Sequence, residues 1–191
     1  MKLICYGDSN TYGYDPRSYL TARYPKDVRW TGLLPQDWTV INWGMNGREI
    51  PSDSCWDDLN TMLEQEAPVD VMTVMLGTND LLQHHRWSPE EVSRRMADFL
   101  LYLKQLPVLS RTKLVLIAPP PMVRGTWANS ELELERSRQL TNCYTELAHR
   151  LNVLYADAAD WKVPLAYDGV HFLPEGHQAF AAGLTAFLTQ L

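Results

Sequence analysis

Short apolar runs alternate along this chain with longer stretches in which apolar residues recur every three or four positions. The runs are rich in Val, Ile and Leu, with few polar interruptions. This pattern is typical of strands that are buried on both faces of a parallel sheet. We predict five such strands, at 3–6, 39–42, 69–76, 113–118 and 152–155.

The longer stretches carry helical signals. Segment 88–91 combines an N-cap serine, a proline at the first helical position and a capping-box glutamate, and Pro107 ends the apolar stripe that follows. A similar capping box at 130–133 precedes another stripe, and shorter stripes predict helices at 56–63 and 180–191. Strands and helices in alternation predict an α/β fold of three layers, with helices on both faces of one parallel sheet.

The composition changes this picture little but excludes several classes of protein. The chain has 191 residues, which favours one domain spanning 1–191. Apolar types make up 46% and charged types 21%, which argues against intrinsic disorder. The net charge of −6 argues against a partner that carries a phosphate backbone, so no nucleic acid is expected.

The cysteines bear on the compartment. Cys5, Cys55 and Cys143 are scattered and odd in number, which favours free thiols in a reducing compartment over a disulfide framework. No stretch reaches 18 uninterrupted apolar residues, so no membrane insertion is expected. We therefore expect a cytoplasmic protein.

Candidate chemistry lies past the carboxyl ends of the predicted strands. In an open parallel sheet, ligands bind beyond the carboxyl ends of the strands. Three polar or glycine-rich segments follow strands, at 7–10, 42–47 and 77–80, and a fourth, at 168–172, comes after the fifth strand beyond a loop. They bring a serine, amide-bearing loops and an Asp/His pair to one edge of the sheet.

These residue types suit acyl transfer. A serine such as Ser9 becomes a good nucleophile when an imidazole accepts its proton and a carboxylate orients that imidazole. Asp168 and His171 are close enough in sequence for the carboxylate to reach Nδ1, which leaves Nε2 facing the serine. Backbone N–H groups and an asparagine amide can stabilise the oxyanion that develops.

In order and spacing, the four segments resemble the sequence blocks of the SGNH, or GDSL-type, hydrolases. The resemblance implies a flavodoxin-like parallel five-stranded sheet and a serine esterase. It implies that Ser9, Asp168 and His171 form a catalytic triad. It also implies an oxyanion hole made of the Ser9 amide, the Gly47 amide and the Asn79 side chain. Gly47 is preferred to Gly44 because it ends the pattern that begins at Asn42.

A narrower resemblance and one departure concern the substrate. Segments 27–32, 75–80 and 118–121 are similar to the aryl-esterase and acyltransferase branch of that family. Asn10 stands where the family usually has a leucine, which changes a packing position and the floor of the pocket.

Other candidate sites are weaker. His84 and His85 have no acidic or cysteine partner at ligand spacing, so no metal is expected. We expect no cofactor either, because glycine-rich nucleotide-binding motifs are missing from the sequence. Asp8 and Asp80 are interpreted as hydrogen-bonding residues that fix loops. His177 is expected to have a capping or supporting role in the last helix.

Aromatic residues in the flanking loops predict the substrate. Tyrosines 12, 14, 19 and 24 follow the serine segment, and Arg124, Trp127 and Trp161 lie in later loops. Asn10, Tyr12 and Trp127 are the predicted substrate-binding residues. Such side chains suit a sugar or aryl alcohol, although several could instead pack loops or a homo-oligomer interface.

We expect a small-molecule ester as substrate, with acetyl favoured as the acyl group; hydrolysis and acyl transfer both remain open. Two alternatives also stay open. One is a thioesterase or lysophospholipase that uses the same triad, and the other is a non-catalytic binding protein on the same fold.

Overall fold

A five-stranded parallel sheet forms the centre of the computed structural model, which describes residues 1–18, 22–52 and 56–191, with the side chain of residue 57 left out. The strands are β1 (Lys2–Gly7), β2 (Thr39–Gly44), β3 (Val71–Met75), β4 (Lys113–Ala118) and β5 (Leu154–Asp157). Their order across the sheet is β2-β1-β3-β4-β5. This confirms the predicted flavodoxin-like α/β fold.

Helices connect the strands and cover both faces of the sheet. The longer ones are α3 (Trp56–Glu66), α5 (Pro89–Gln105), α6 (Glu131–Leu151) and α7 (Pro174–Leu188). Three shorter helices, α1 (Ser9–Tyr12), α2 (Trp30–Leu33) and α4 (Thr78–Gln83), lie near the carboxyl ends of the strands. None of the helices in the described ranges combines the length and apolar character needed to cross a bilayer.

The two faces of the sheet pack into two different hydrophobic cores. On β1, Ile4 and Tyr6 pack with residues of α3, α5 and α6, whereas Leu3 and Cys5 pack with residues of α2 and α7. This alternation follows from the two-residue period of a strand and explains why the strands are apolar on both faces. The sheet is therefore a rigid support for the loops at its carboxyl edge.

Both predicted capping boxes are present. The Ser88 hydroxyl accepts from the Glu91 N–H, and the Glu91 carboxylate accepts from the Ser88 N–H. Ser130 and Glu133 make the same reciprocal pair at the start of α6. Each box satisfies two backbone donors that the first helical turn leaves unpaired.

Candidate active site

Ser9 lies at the point where β1 ends and α1 begins. The Asp8 carboxylate accepts a hydrogen bond from the Asn10 N–H at 2.9 Å and so caps this short helix. Burial raises the pKa of Asp8 to about 6, although the Asn10 N–H and the nearby His171 act in the opposite direction. As the sequence predicted, Asp8 fixes a loop, and the loop it fixes carries Ser9.

Asp168 and His171 lie on one tight loop before α7. Asp168 Oδ1 accepts from the backbone N–H groups of Val170 and His171, both at 2.9 Å, and Oδ2 lies 2.8 Å from His171 Nδ1. Burial alone would raise the pKa of Asp168, but these hydrogen bonds from His171 and Val170 outweigh it and hold the pKa below its usual value. The carboxylate therefore stays ionised behind the imidazole.

The geometry sets the direction of the hydrogen bonds along Asp168, His171 and Ser9. An ionised carboxylate can only accept, so Nδ1 of His171 carries the proton that points to Asp168. The Nε2 lone pair then faces Ser9 Oγ, which lies 3.0 Å away. In this arrangement the serine hydroxyl can donate its proton to the ring, as a general-base mechanism requires.

Gly47, on the loop after β2, and Asn79, in helix α4, line the same cavity as Ser9. Gly47 follows β2 and has a φ of +69°, a left-handed conformation that favours glycine. Asn79 lies in the first turn of α4, and its Nδ2 donates to the Arg48 carbonyl at 3.0 Å. Because a primary amide has two N–H groups, this bond fixes the side chain and leaves one donor for another partner.

A cavity of about 390 Å³ joins these residues. Its lining comprises Ser9, Tyr14, Asn46, Gly47, Asn79, Leu82, Gln83, Trp127 and His171. The structure thus brings together at one cavity five of the predicted site residues, Ser9, Gly47, Asn79, Trp127 and His171. Asp168 lies behind His171, in hydrogen-bond contact with its ring.

Two aromatic rings contact the His171 imidazole. The Tyr14 ring centroid is 4.7 Å from that of His171, and the Trp127 centroid is 4.9 Å away in an edge-to-face arrangement. Trp127 is also 53% exposed, so much of its surface faces solvent. Tyr14 was missed as a lining residue, and its place among four loop tyrosines was the only sequence signal for it.

The structure contradicts two of the predicted substrate-binding residues. Asn10 is buried, and its amide is used within the protein, since Nδ2 donates to the Val170 carbonyl and Oδ1 accepts from the Phe172 N–H. It therefore holds the loop of His171 and does not form the pocket floor. Tyr12 does not line the cavity either, and its ring packs under the Arg23 guanidinium at 4.3 Å.

Other predicted loop residues also lie elsewhere. Tyr24 is buried against His177, and Trp161 packs edge-to-face on Phe180. Tyr19 and Cys55 lie outside the described residues. His84 does have an acidic partner, Glu49, which sequence spacing did not reveal. Within the described ranges, no three His, Cys, Asp or Glu side chains cluster as metal ligands would.

The chain is similar to a known protein family and to several solved structures. Residues 5–179 match the family model described as GDSL-like lipase/acylhydrolase. The native aryl esterase of M. smegmatis is 26% identical with a TM-score of 0.85, over 100% of this chain and 99% of that one. Est24, a carbohydrate acetylesterase from Sinorhizobium meliloti, is 25% identical with a TM-score of 0.85, over 99% and 98%. The search of curated proteins gave no match.

Proposed function

The chain belongs to the GDSL-like lipase/acylhydrolase family, and from that premise we propose that this carboxylic ester hydrolase removes short acyl groups from a sugar or a small alcohol. Acetyl is the acyl group that we favour. The observation that carries the proposal is the continuous hydrogen-bonded series from Asp168 through His171 to Ser9 at a cavity that Gly47 and Asn79 also line.

The mechanism follows from the direction of these hydrogen bonds. Ser9 Oγ attacks the ester carbonyl carbon while its proton passes to His171 Nε2, and Asp168 stabilises the imidazolium that results. The carbonyl oxygen gains negative charge and accepts hydrogen bonds from the Ser9 and Gly47 N–H groups and from Asn79 Nδ2.

Collapse of this intermediate completes the first half of the reaction. The bond to the alcohol oxygen breaks, the alcohol takes the proton from His171 Nε2, and the acyl group remains on Ser9. A water molecule then repeats the sequence: it gives a proton to His171, attacks the acyl carbon and releases the acid, and Ser9 recovers its proton.

The lining of the cavity supports a small ester. Leu82 and the rings of Tyr14 and Trp127 provide apolar surface, and the exposed Trp127 offers a flat face on which a sugar or aryl ring can stack. The similarity to an aryl esterase and to a carbohydrate acetylesterase agrees with this substrate class.

Replacing Ser9 tests the proposal. Ser9→Ala should abolish hydrolysis of an acetylated sugar, since loss of a comparable nucleophile lowers kcat by roughly a million-fold. Ser110→Ala, at an exposed serine before β4, is the matched control and should retain wild-type turnover. A serine-directed organophosphonate should add to the wild-type protein at Ser9 and leave Ser9→Ala unlabelled.

The outcome also separates the alternatives. Substantial turnover by Ser9→Ala would overturn the assignment. A wild-type protein that takes no label and hydrolyses no ester would instead be a binding protein. Faster turnover of a long-chain acyl thioester than of the acetylated sugar would favour a thioesterase.

A further inference from the structure

Each of the four residues 47–50 contacts a residue of segment 79–84. Gln83 Nε2 donates to Gly47 O at 3.3 Å, Asn79 Nδ2 donates to Arg48 O at 3.0 Å, His84 Nε2 lies 2.8 Å from Glu49 Oε2, and Asp80 Oδ2 accepts from Ile50 N at 3.1 Å. Segment 47–50 and segment 79–84 are hereafter called the Gly47 loop and the α4 segment.

Gly47 itself depends on its neighbours for its position. No described atom beyond its chain neighbours lies within 4 Å of the point where a Cβ would stand. Glycine also has the widest choice of backbone conformations. Because this side of Gly47 faces open space, the direction of its N–H depends on the backbone conformation that the hydrogen bonds of residues 47–50 fix.

The contact between Glu49 and His84 joins the Gly47 loop to the α4 segment, and it is made by two side chains. An ionised glutamate can only accept, so His84 Nε2 carries the hydrogen and donates it. The two side chains are partly buried, at 27% and 37% exposure, which shields the bond from water more than an ordinary surface pair.

His84 is held firmly from the other side. Its ring stacks on Trp87 at 3.6 Å between centroids with an interplanar angle of 15°. The buried Arg136 of α6 donates to the carbonyls of His84, His85 and Trp87. The turn after α4 is thereby fastened to α6, so Glu49 bonds to a rigid partner.

The opposite side of the Gly47 loop is fastened to β1. Arg48 Nη1 and Met45 N both donate to the Gly7 carbonyl, two residues before Ser9. The Gly47 loop is thus held between the Ser9 segment on one side and the α4 segment, which carries Asn79, on the other.

We propose that Glu49 and His84 are positioning residues that hold the Gly47 N–H in line with the other oxyanion donors. The proposal rests on the proposed function, because it assigns Gly47 to the oxyanion hole of that mechanism. Neither residue lines the cavity, so neither touches substrate there. Their effect should appear in the transition state, where the oxygen gains charge, and should leave substrate binding largely unchanged.

Steady-state kinetics on purified variants tests this role. Glu49→Ala and His84→Ala should each lower kcat for an acetylated sugar about ten-fold, with KM within about two-fold of wild type. Misplacing one oxyanion donor should cost less than losing it, which lowers kcat about a hundred- to a thousand-fold. Glu49→Gln should restore most of kcat, since its amide oxygen still accepts from His84. The double alanine variant should be no slower than either single one.

The adjacent histidine provides the control. The side chain of His85 is 74% exposed and directed towards Glu133, so His85→Ala should keep wild-type kcat. Affinity for a trifluoromethyl ketone, which forms an oxyanion on the serine, should fall in Glu49→Ala by the same factor as kcat.

Three outcomes would overturn the proposal: kcat within two-fold of wild type in both alanine variants, a change in KM alone, or a lower melting temperature with unchanged kcat and ketone affinity. Ser9→Ala, measured beside them, separates this failure from failure of the proposed function. If Ser9→Ala is inactive while both alanine variants are normal, only the positioning role is wrong.

Discussion

The Asn79 side chain combines a structural bond with a free donor. Its Nδ2 donates to the Arg48 carbonyl, which anchors the Gly47 loop and fixes the direction of the second amide hydrogen. A simple loop cap would use the same residue without any effect on the reaction. The two interpretations predict different results for one substitution.

Asn79→Ala should lower kcat by about a hundred- to a thousand-fold, because one oxyanion donor is lost, and should change KM little. The melting temperature should also fall, since the Arg48 carbonyl loses its partner. Measuring kcat and melting temperature on one preparation checks this. A near-normal kcat with a lower melting temperature would make Asn79 a cap only.

At the residue scale, the spacing of nearby residues was the main sequence evidence for the candidate site. The contacts that join Ser9, His171 and Asp168 could be anticipated because their segments lie past strands of one parallel sheet, whereas their roles as a triad are implied by the family resemblance and stay a prediction. Asn10 and Tyr12 were assigned wrongly because the single turn of α1 directs its side chains inward or sideways, and no sequence period reveals that. The bond between Glu49 and His84 joins two loops and leaves no local pattern.

At the element scale, the loop after β4 is hydrogen-bonded through its backbone to the loop that carries Asp168. Val123 N donates to Gly169 O, and Trp127 N donates to Asp168 O. The two backbones approach so closely that a Cβ on Gly125 would lie 2.2 Å from the Asp168 carbonyl carbon. The position of Asp168 therefore depends on a glycine in a different loop.

Gly125→Ala should reduce both stability and activity, because the added methyl group forces the two loops apart and displaces Asp168 from His171. We expect kcat of the folded fraction to fall at least ten-fold, a misplacement effect of the usual order. Ser130→Ala is the control, since it removes a helix cap at the end of the same loop and should cost about 1 kcal/mol with kcat unchanged. If the folded fraction of Gly125→Ala had the same kcat as Ser130→Ala, the contact between the two loops would not position Asp168.

Element boundaries were harder to predict than element types. The apolar pattern predicts Asn152 in the fifth strand, but Asn152 adopts a left-handed φ of 50° and ends α6, so β5 begins at Leu154. The helices α1, α2 and α4 were not predicted, since helices of four to six residues are too short to show a period. Capping boxes, by contrast, depend on adjacent residues and were predicted correctly.

At the scale of the whole molecule, the site is assembled by topology. β1 lies between β2 and β3 in the sheet, so the segments after these three strands meet although they are far apart in sequence. The rule that parallel strands align their carboxyl ends made this meeting predictable. The aromatic lining was only partly predictable, because it depends on how loops fold over that edge.

The pH dependence of the stability of the whole molecule should reflect one buried histidine, His177. His177 is fully buried against the rings of Tyr24 and Phe172, and its Nδ1 accepts from the Trp30 N–H. Burial, with a smaller contribution from the Arg29 charge, lowers its pKa to about 4. In the unfolded chain the same group takes up a proton near pH 6.5.

The sign of the pH effect follows from this difference. Between pH 6.5 and 4 the unfolded chain binds the proton and the folded protein does not, so stability falls as the pH falls. Above pH 6.5 the histidine is mostly neutral in both states and has little effect on stability. At pH 4 it lowers the free energy of unfolding by about 3 kcal/mol relative to neutral pH. Asp8 and Asp80, whose pKa values burial raises to about 6, act in the opposite direction over part of this range.

A comparison with His177→Asn isolates the histidine, because both carboxylates are unchanged and an asparagine Oδ1 can still accept from Trp30. Urea unfolding should show the variant less stable than wild type at pH 7, since the smaller side chain leaves a cavity. The difference should then shrink by about 3 kcal/mol as the pH is lowered from 7 to 4, because only the wild-type protein must keep a buried imidazole neutral. A difference that stays constant across this range would mean that His177 takes up its proton in the folded protein as readily as in the unfolded chain.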